Sequence, residues 1–451
     1  MKTQENFTQG PILGPLIRFA LPVLLALLLQ TMYGAVDLLV VGQFGEAADV
    51  SAVSTGSQLM QTITMVITGL AMGLTVLVGR KIGEGRRQEA GGIIASGMWL
   101  FGGLAVAVSV IMMLCARALS QVMQAPPEAF DRTAAYITIC SAGAVFIVAY
   151  NLIGSIFRGI GDSRMPLVTV AMASALNVAG DLLLVAVFRM GTAGAAIATV
   201  FAQAVSVLLS MLIIRRRELP FTLTRGELRP RGAYIRAILR LGVPIALQDL
   251  LVSISFLVII AIVNGLGLIA SAGVGVAEKL CGFLMLVPSA YMQSMSAFVA
   301  QNIGAGRPDR ARRALLCGIL TSLAAGLVMG YFTFFHGSLL AGLFAREAEV
   351  VAAAAEYLKA YAIDCVLTSF LFCFIGYFNG CGSTTFVMLQ GIAGAFGVRL
   401  PVSWLMSRQS PVSLFRIGLA TPCSTVVQIM LCAIALILLK RQQEAADRVS
   451  A

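Results

Sequence analysis

About twelve stretches of this 451-residue sequence stay apolar for about 20 residues or more, and that feature decides most of what the chain can become. They run near 13–43, 50–79, 92–116, 133–157, 165–188, 192–214, 237–264, 269–300, 314–341, 350–377, 385–407 and 413–439. A helix rises ~1.5 Å per residue, so each is long enough to cross ~30 Å of hydrocarbon. With 59% hydrophobic and 12% charged residues and a mean hydropathy of +0.91, an ordinary soluble domain is excluded. In lipid every backbone N–H and C=O must be satisfied within the chain, so runs of this length predict an all-α integral membrane protein.

The net charge of +11 does not point to nucleic acid, because the basic residues fall where membrane topology wants them. Arg80, Lys81, Arg86 and Arg87 follow the second apolar stretch, Arg158 and Arg164 the fourth, and Arg307, Arg310, Arg312 and Arg313 the eighth. Loops on the other side are poorer in them. The positive-inside rule predicts a multi-pass protein of the cell (inner) membrane with both termini in the cytoplasm.

The sequence also repeats itself. Ile82-Gly83-Glu84-Gly85-Arg86 returns as Ile303-Gly304-Ala305-Gly306-Arg307, an offset of 221. Phe157-Arg158-Gly159-Ile160-Gly161 returns as Phe378-Asn379-Gly380-Cys381-Gly382 at the same offset, and Leu21-Pro22-Val23 as Val243-Pro244-Ile245 at 222. The reading is two pseudo-symmetric six-helix halves around a central cavity, as in many secondary transporters. Their expected bounds are 1–214 and 237–451, joined by a cytoplasmic linker over 215–236 that carries Pro220, Pro230 and seven arginines. Prolines inside helices favour bends, and Pro22 is singled out as a hinge because its helix also carries a buried acid.

Several chemistries are set aside. No Gly-Lys dipeptide occurs, which excludes a P-loop. Gly159-Ile160-Gly161-Asp162 resembles an intramembrane protease string, but the second copy has Ser383 in place of Asp162, so a turn with a capping residue explains both. A single histidine, His336, argues against a structural zinc site, and the nine cysteines show no paired spacing. The chain is therefore read as no enzyme, without a cofactor.

Intramembrane charges are costly, by ~2.5 to 3.5 kcal/mol on insertion scales, and so call for a purpose. Tyr33 and Asp37 share one helix face, and Asn177 and Asp181 another. Counted from Arg18, Asp37 lies roughly 29 Å deep; counted from Arg164, Asp181 lies roughly 26 Å deep. Thr199, counted back from Arg215, falls roughly 24 Å deep. Two carboxylates, an amide, a hydroxyl and a phenol in one low-dielectric layer suit a proton or a small hard cation such as Na⁺. At the 221 offset Asp181 faces Val402 and Asn177 faces Val398, and at 222 Asp37 faces Ile259 and Thr199 faces Thr421, so the second half lacks the acids. There, Glu278, Lys279, Asp364 and Arg399 are candidate substrate contacts, with Asp364 and Arg399 a candidate ion pair. Met285 and Met292 suit a cavity that accepts many shapes.

The opening Pro15-Leu16-Ile17-Arg18-Phe19-Ala20-Leu21-Pro22, the acid of Val36-Asp37, the Gly-x-Gly turn after helix 2 and Arg158-Gly159-Ile160-Gly161-Asp162-Ser163 resemble the multidrug and toxic compound extrusion (MATE) family, in its prokaryotic DinF-like branch. The resemblance implies a monomeric secondary active efflux transporter in the lipid bilayer that exchanges organic cations or amphipathic drugs for H⁺ or Na⁺ by alternating access. It implies that Asp37 is the ion-coupled acid, that Asn177, Asp181 and Thr199 complete a cation site, and that Tyr33 and Tyr136 belong to the cavity and its network. A sodium site known in a second branch would fall on Val252 and Thr368. The alternative reading is a lipid-linked saccharide flippase of the same superfamily.

Overall fold

The computed structural model describes residues 7–217, 219–221 and 229–450, with side chains as far as 441. Of the expected linker, residue 218 and residues 222–228, Arg225 among them, lie outside the described residues. Among the described residues all regular structure is helical: α1 (Leu13–Phe44), α2 (Ala47–Gly83), α3 (Arg87–Val122), α4 (Pro127–Ala142), α5 (Ala144–Ile160), α6 (Arg164–Asp181), α7 (Gly191–Arg215), α8 (Gly232–Asn264), α9 (Leu268–Leu284), α10 (Leu286–Gly304), α11 (Pro308–Phe335), α12 (Gly337–Ala341), α13 (Ala348–Gly380), α14 (Thr384–Ile392), α15 (Leu400–Ser407), α16 (Leu414–Gly418) and α17 (Ala420–Ser450). Eleven of the described helical spans are long and apolar enough to cross a membrane, and α4 with α5, bent by 51° at Gly143, makes up to twelve.

Several expected straight helices are jointed, and most joints have a local cause. The stretch 269–300 breaks at Met285, three residues before Pro288, whose ring nitrogen cannot donate. The stretch 385–407 passes through a π turn, Ala393–Arg399, just before Pro401, and α17 starts afresh two residues before Pro422. Pro22 and Pro244, by contrast, sit inside unbroken α1 and α8.

Two compact units emerge from the packing: Met1–Ala246 with Ala300–Pro308, and Leu247–Val299 with Asp309–Ala451. Each contains the same small-residue helix contact. In the first, a Cβ on Gly159 would meet Thr75 O at 2.9 Å and Val78 Cβ at 3.1 Å; in the second, one on Gly380 would meet Ser296 O at 2.8 Å and Val299 Cβ at 2.7 Å. Every partner is shifted by 221.

Within the first unit a second contact is its own mirror image. Gly83 lies against the carbonyl of Gln301, and Gly304 against the carbonyl of Arg80, so closely that neither position has room for a Cβ. Gly85 (φ +72°), Gly306 (φ +68°), Gly161 (φ +88°) and Gly382 (φ +82°) supply the left-handed turns expected of the Gly-x-Gly motifs. Asp162 caps α6 by accepting from the Arg164 and Met165 amides, as expected, but Ser383 makes no side-chain cap on α14. Both described flanks of the linker are held: Arg217 pairs with Asp162 at 3.0 Å, and the Arg231 amide donates to Ser96 Oγ at 3.1 Å.

Candidate ion-binding site

Three helices of the first unit bring four of the sequence-predicted polar residues together in its interior. Asp37 on α1 is 4% exposed, Asn177 and Asp181 on α6 are 1% and 0%, and Thr199 on α7 is 9%. Asn177 Nδ2 donates to Thr199 Oγ1 at 3.3 Å, and Thr199 Oγ1 donates to Asp37 Oδ2 at 3.3 Å. Asp37 Oδ1, Asn177 Oδ1 and both carboxyl oxygens of Asp181 are buried with no hydrogen-bond partner, and the two acids are close enough to interact directly.

A buried polar atom left unpaired costs ~1–3 kcal/mol, more when charged, and four acceptors in one place therefore ask for something positive. Ionised carboxylates only accept, so a proton shared by the acids, or a small cation between their oxygens, completes the set. Directly after Asp181 the helix changes to a π turn, Leu182–Val187, an irregularity that often accompanies functional positions.

Beside this cluster lies a cavity of about 40 Å³, lined in part by Gln30, Tyr33, Asn151, Asn177, Thr199 and Gln203. One water needs ~10–15 Å³ on this measure, so the space suits a few waters or a hydrated ion, far short of the ~300 Å³ of a drug-sized pocket. Tyr33 is one of its lining residues. Tyr136 does not; its ring packs over Gly56 of α2, in the apolar layer beside Cys140. The amides Gln30, Asn151 and Gln203 went unremarked in the sequence, although each stands as a polar residue within an apolar stretch. Also missed was Asp49, which accepts from the amide and hydroxyl of Thr192 and pairs with Arg132 at 2.8 Å, tying α2, α4 and α7. Its only sequence signal is the Glu46-x-x-Asp49 capping box at the start of α2.

The charges of the second unit are arranged differently from expectation. Asp364 and Arg399 form no ion pair within 4.0 Å among the described residues: Asp364 accepts from Thr425 Oγ1 at 2.6 Å, while Arg399 donates to Ser255 Oγ at 3.0 Å and lies 4.3 Å over the Phe256 ring. A hydroxyl and an aromatic face stand nearer than the opposite charge. Glu278 accepts from the phenols of Tyr357 (3.2 Å) and Tyr361 (3.5 Å), whereas its neighbour Lys279 is exposed on another face, as adjacent helix positions require. Arg399 remains within electrostatic reach of both acids. Met285 is the half-buried joint residue between α9 and α10, and the backbone of Met292 packs against Gly376.

The MatE family model matches the chain twice, over residues 22–183 and 244–405. Among relatives, a probable multidrug resistance protein, YpnP of Bacillus subtilis, is 27% identical over 403 residues (89% of this chain, 90% of that one). An FAD transporter of Shewanella oneidensis is 27% identical over 369 residues (80% of each). A solved outward-facing multidrug resistance MATE family transporter superposes with a TM-score of 0.90 at 21% identity, covering 96% of this chain and 98% of that one.

The two matches begin at residues 22 and 244 and end at 183 and 405, and each copy carries a π turn close to the end of its match, Leu182–Val187 in the first and Ala393–Arg399 in the second. With a duplicated scaffold of membrane-spanning helices and two family matches that together take in more than half of its length, the chain belongs to the MatE family of membrane transporters.

Proposed function

We propose that this protein is a secondary active multidrug exporter, which exchanges organic cationic or amphipathic compounds for H⁺ or Na⁺ by alternating access between an N-terminal half (1–214) and a C-terminal half (237–451). The observation that carries the reading is the set of four donorless acceptor oxygens on Asp37, Asn177 and Asp181. When the cluster takes a proton or Na⁺ from outside, its negative charge is cancelled and bound organic cation loses its counter-charge. When the cation leaves to the inside, the acids are free to attract the next substrate. Each net charge moved inward is driven by ~2.3 kcal/mol per 100 mV. Pro22 lets α1 bend as Asp37 changes charge. Both termini face the cytoplasm of the inner membrane in this scheme, and the protein works as a monomer.

Names of relatives support drug export, and one name supports a second reading: the FAD transporter suggests phosphate-bearing cargo, chemistry that a lipid-linked saccharide flippase would share. The test is the protein in proteoliposomes with an imposed pH or Na⁺ gradient, following efflux of an organic cation and, in parallel, of a flavin dinucleotide. Gradient-driven cation efflux that disappears in Asp37→Asn supports the first reading. Efflux of the dinucleotide alone transfers the argument to the second, and an Asp37→Asn protein with undiminished coupling removes Asp37 from the ion site.

A further inference from the structure

The first unit holds a charge that the exchange described above does not use. Arg158 stands in the last turn of α5, half-buried, and its Nε is wholly buried with no hydrogen-bond partner. It forms no ion pair among the described residues. A basic residue that only marks topology reaches past its helix end towards the headgroups. Arg158 turns the other way. A Cβ on Gly154, one turn further inside α5, would stand 3.2 Å from Arg158 Nη1 and 3.8 Å from its Cζ. The guanidinium therefore lies back along the helix, over a glycine that leaves it room, in the direction in which helical side chains lean.

That direction leads to the cavity beside the ion site. Ile147 and Asn151 line the cavity, and Gly154 and Arg158 continue their α5 face at the spacing i, i+4, i+7 and i+11. Polar groups run the same way on the neighbouring helices. On α7, Ser206 and Ser210 extend the face of Thr199 and Gln203, and Thr169 of α6 lies 3.1 Å from Ser210, with all three hydroxyl residues buried. Gly154, Thr169 and Ser210 stand six, five and five residues from the ends of α5, α6 and α7 that share one side of the unit. The guanidinium and the hydroxyls thus occupy one layer.

We infer that Arg158 is a cation barrier, a fixed guanidinium between the ion site and the Gly161 end of α5 that keeps H⁺ or Na⁺ held by Asp37 and Asp181 from leaking through the first unit, so that the ion crosses only with the transport cycle. This rests on the antiport reading above. Carboxylates draw cations in, and a column of polar groups below them offers a way onward. A positive charge in that column repels a proton and a metal cation alike, as a single arginine does in pores that exclude cations. A guanidinium is never deprotonated in a protein, so the barrier stands through the whole cycle.

The test is passive flux through the full chain in proteoliposomes, with an imposed pH or Na⁺ gradient and no substrate. Arg158→Gln is expected to dissipate the gradient several-fold faster than the native chain, and Arg158→Lys to keep most of the block. Adding Asp37→Asn to Arg158→Gln should take away much of the extra leak, because the path runs through the ion site. Thermal unfolding in detergent separates this from a merely structural role: removing a buried charge that has no partner removes a cost, so Arg158→Gln should unfold no lower than the native chain. A folded Arg158→Gln chain that leaks no faster than the native one overturns the inference. So does one that fails to fold or unfolds well below the native chain, since Arg158 is then a prop of the fold. A native chain without gradient-driven substrate efflux, measured in parallel, removes the antiport reading instead.

Discussion

Three carboxyl oxygens of Asp37 and Asp181 in the first unit have no hydrogen-bond partner, whereas Glu278 and Asp364 in the second accept from three hydroxyls. Asp37, Asp181 and Asp364 are buried and Glu278 is half-buried, so burial by itself separates little. What separates them is whether the surrounding side chains already satisfy the acids. On the proposed reading, the pair left short of donors is the one that takes the ion, and the pair supplied with donors stays a fixed part of the wall.

The comparison can be broken most severely at the acids. Asp37→Asn or Asp181→Asn is expected to lower gradient-driven efflux by roughly tenfold or more, equivalent to about 1.4 kcal/mol of lost coupling. Asp364→Asn, whose carboxyl already has Thr425, should leave the ion dependence intact in the same flux assay. A matched loss from all three would erase the distinction.

The scaffold, unlike the acids, should behave identically in its two copies. Gly83→Ala and Gly304→Ala each push a Cβ into a partner carbonyl, and each is expected to cost about 1–3 kcal/mol, visible as equal falls in the thermal unfolding temperature of detergent-solubilised protein. Unequal falls would show that the two contacts are not equivalent. The caps give a third contrast: Asp162→Ala should cost ~0.5–2 kcal/mol in the same measurement and Ser383→Ala little, since only Asp162 caps its helix. The smallest effect is expected at the hydroxyls, where Thr199→Ala removes about 1 kcal/mol of hydrogen bonding and weakens apparent ion affinity several-fold, while Thr425→Ala leaves that affinity alone.

Much of this was legible before any coordinates. Helix depth, counted from flanking arginines, placed Asp37, Asp181 and Thr199 in one layer because a spanning helix fixes height almost by residue number. It could not supply rotation or neighbours. The proposed Asp364–Arg399 pair failed for that reason: charge was read without the Ser255 hydroxyl and Phe256 ring that stand closer. Asp49 escaped because its partners Arg132 and Thr192 come from distant helices.

The wide turns of the two copies stand at different heights of the repeat. At the offset of 221, Leu182–Val187 would fall on residues 403–408, whereas the second copy has its π turn at Ala393–Arg399. A helix advances ~100° per residue, so a wide turn changes which side chains face the interior on everything that follows it. Over the segment between the two positions, matched residues therefore present different faces although the glycine turn before them keeps its offset. A duplicated scaffold can in this way hold its frame and redraw its lining.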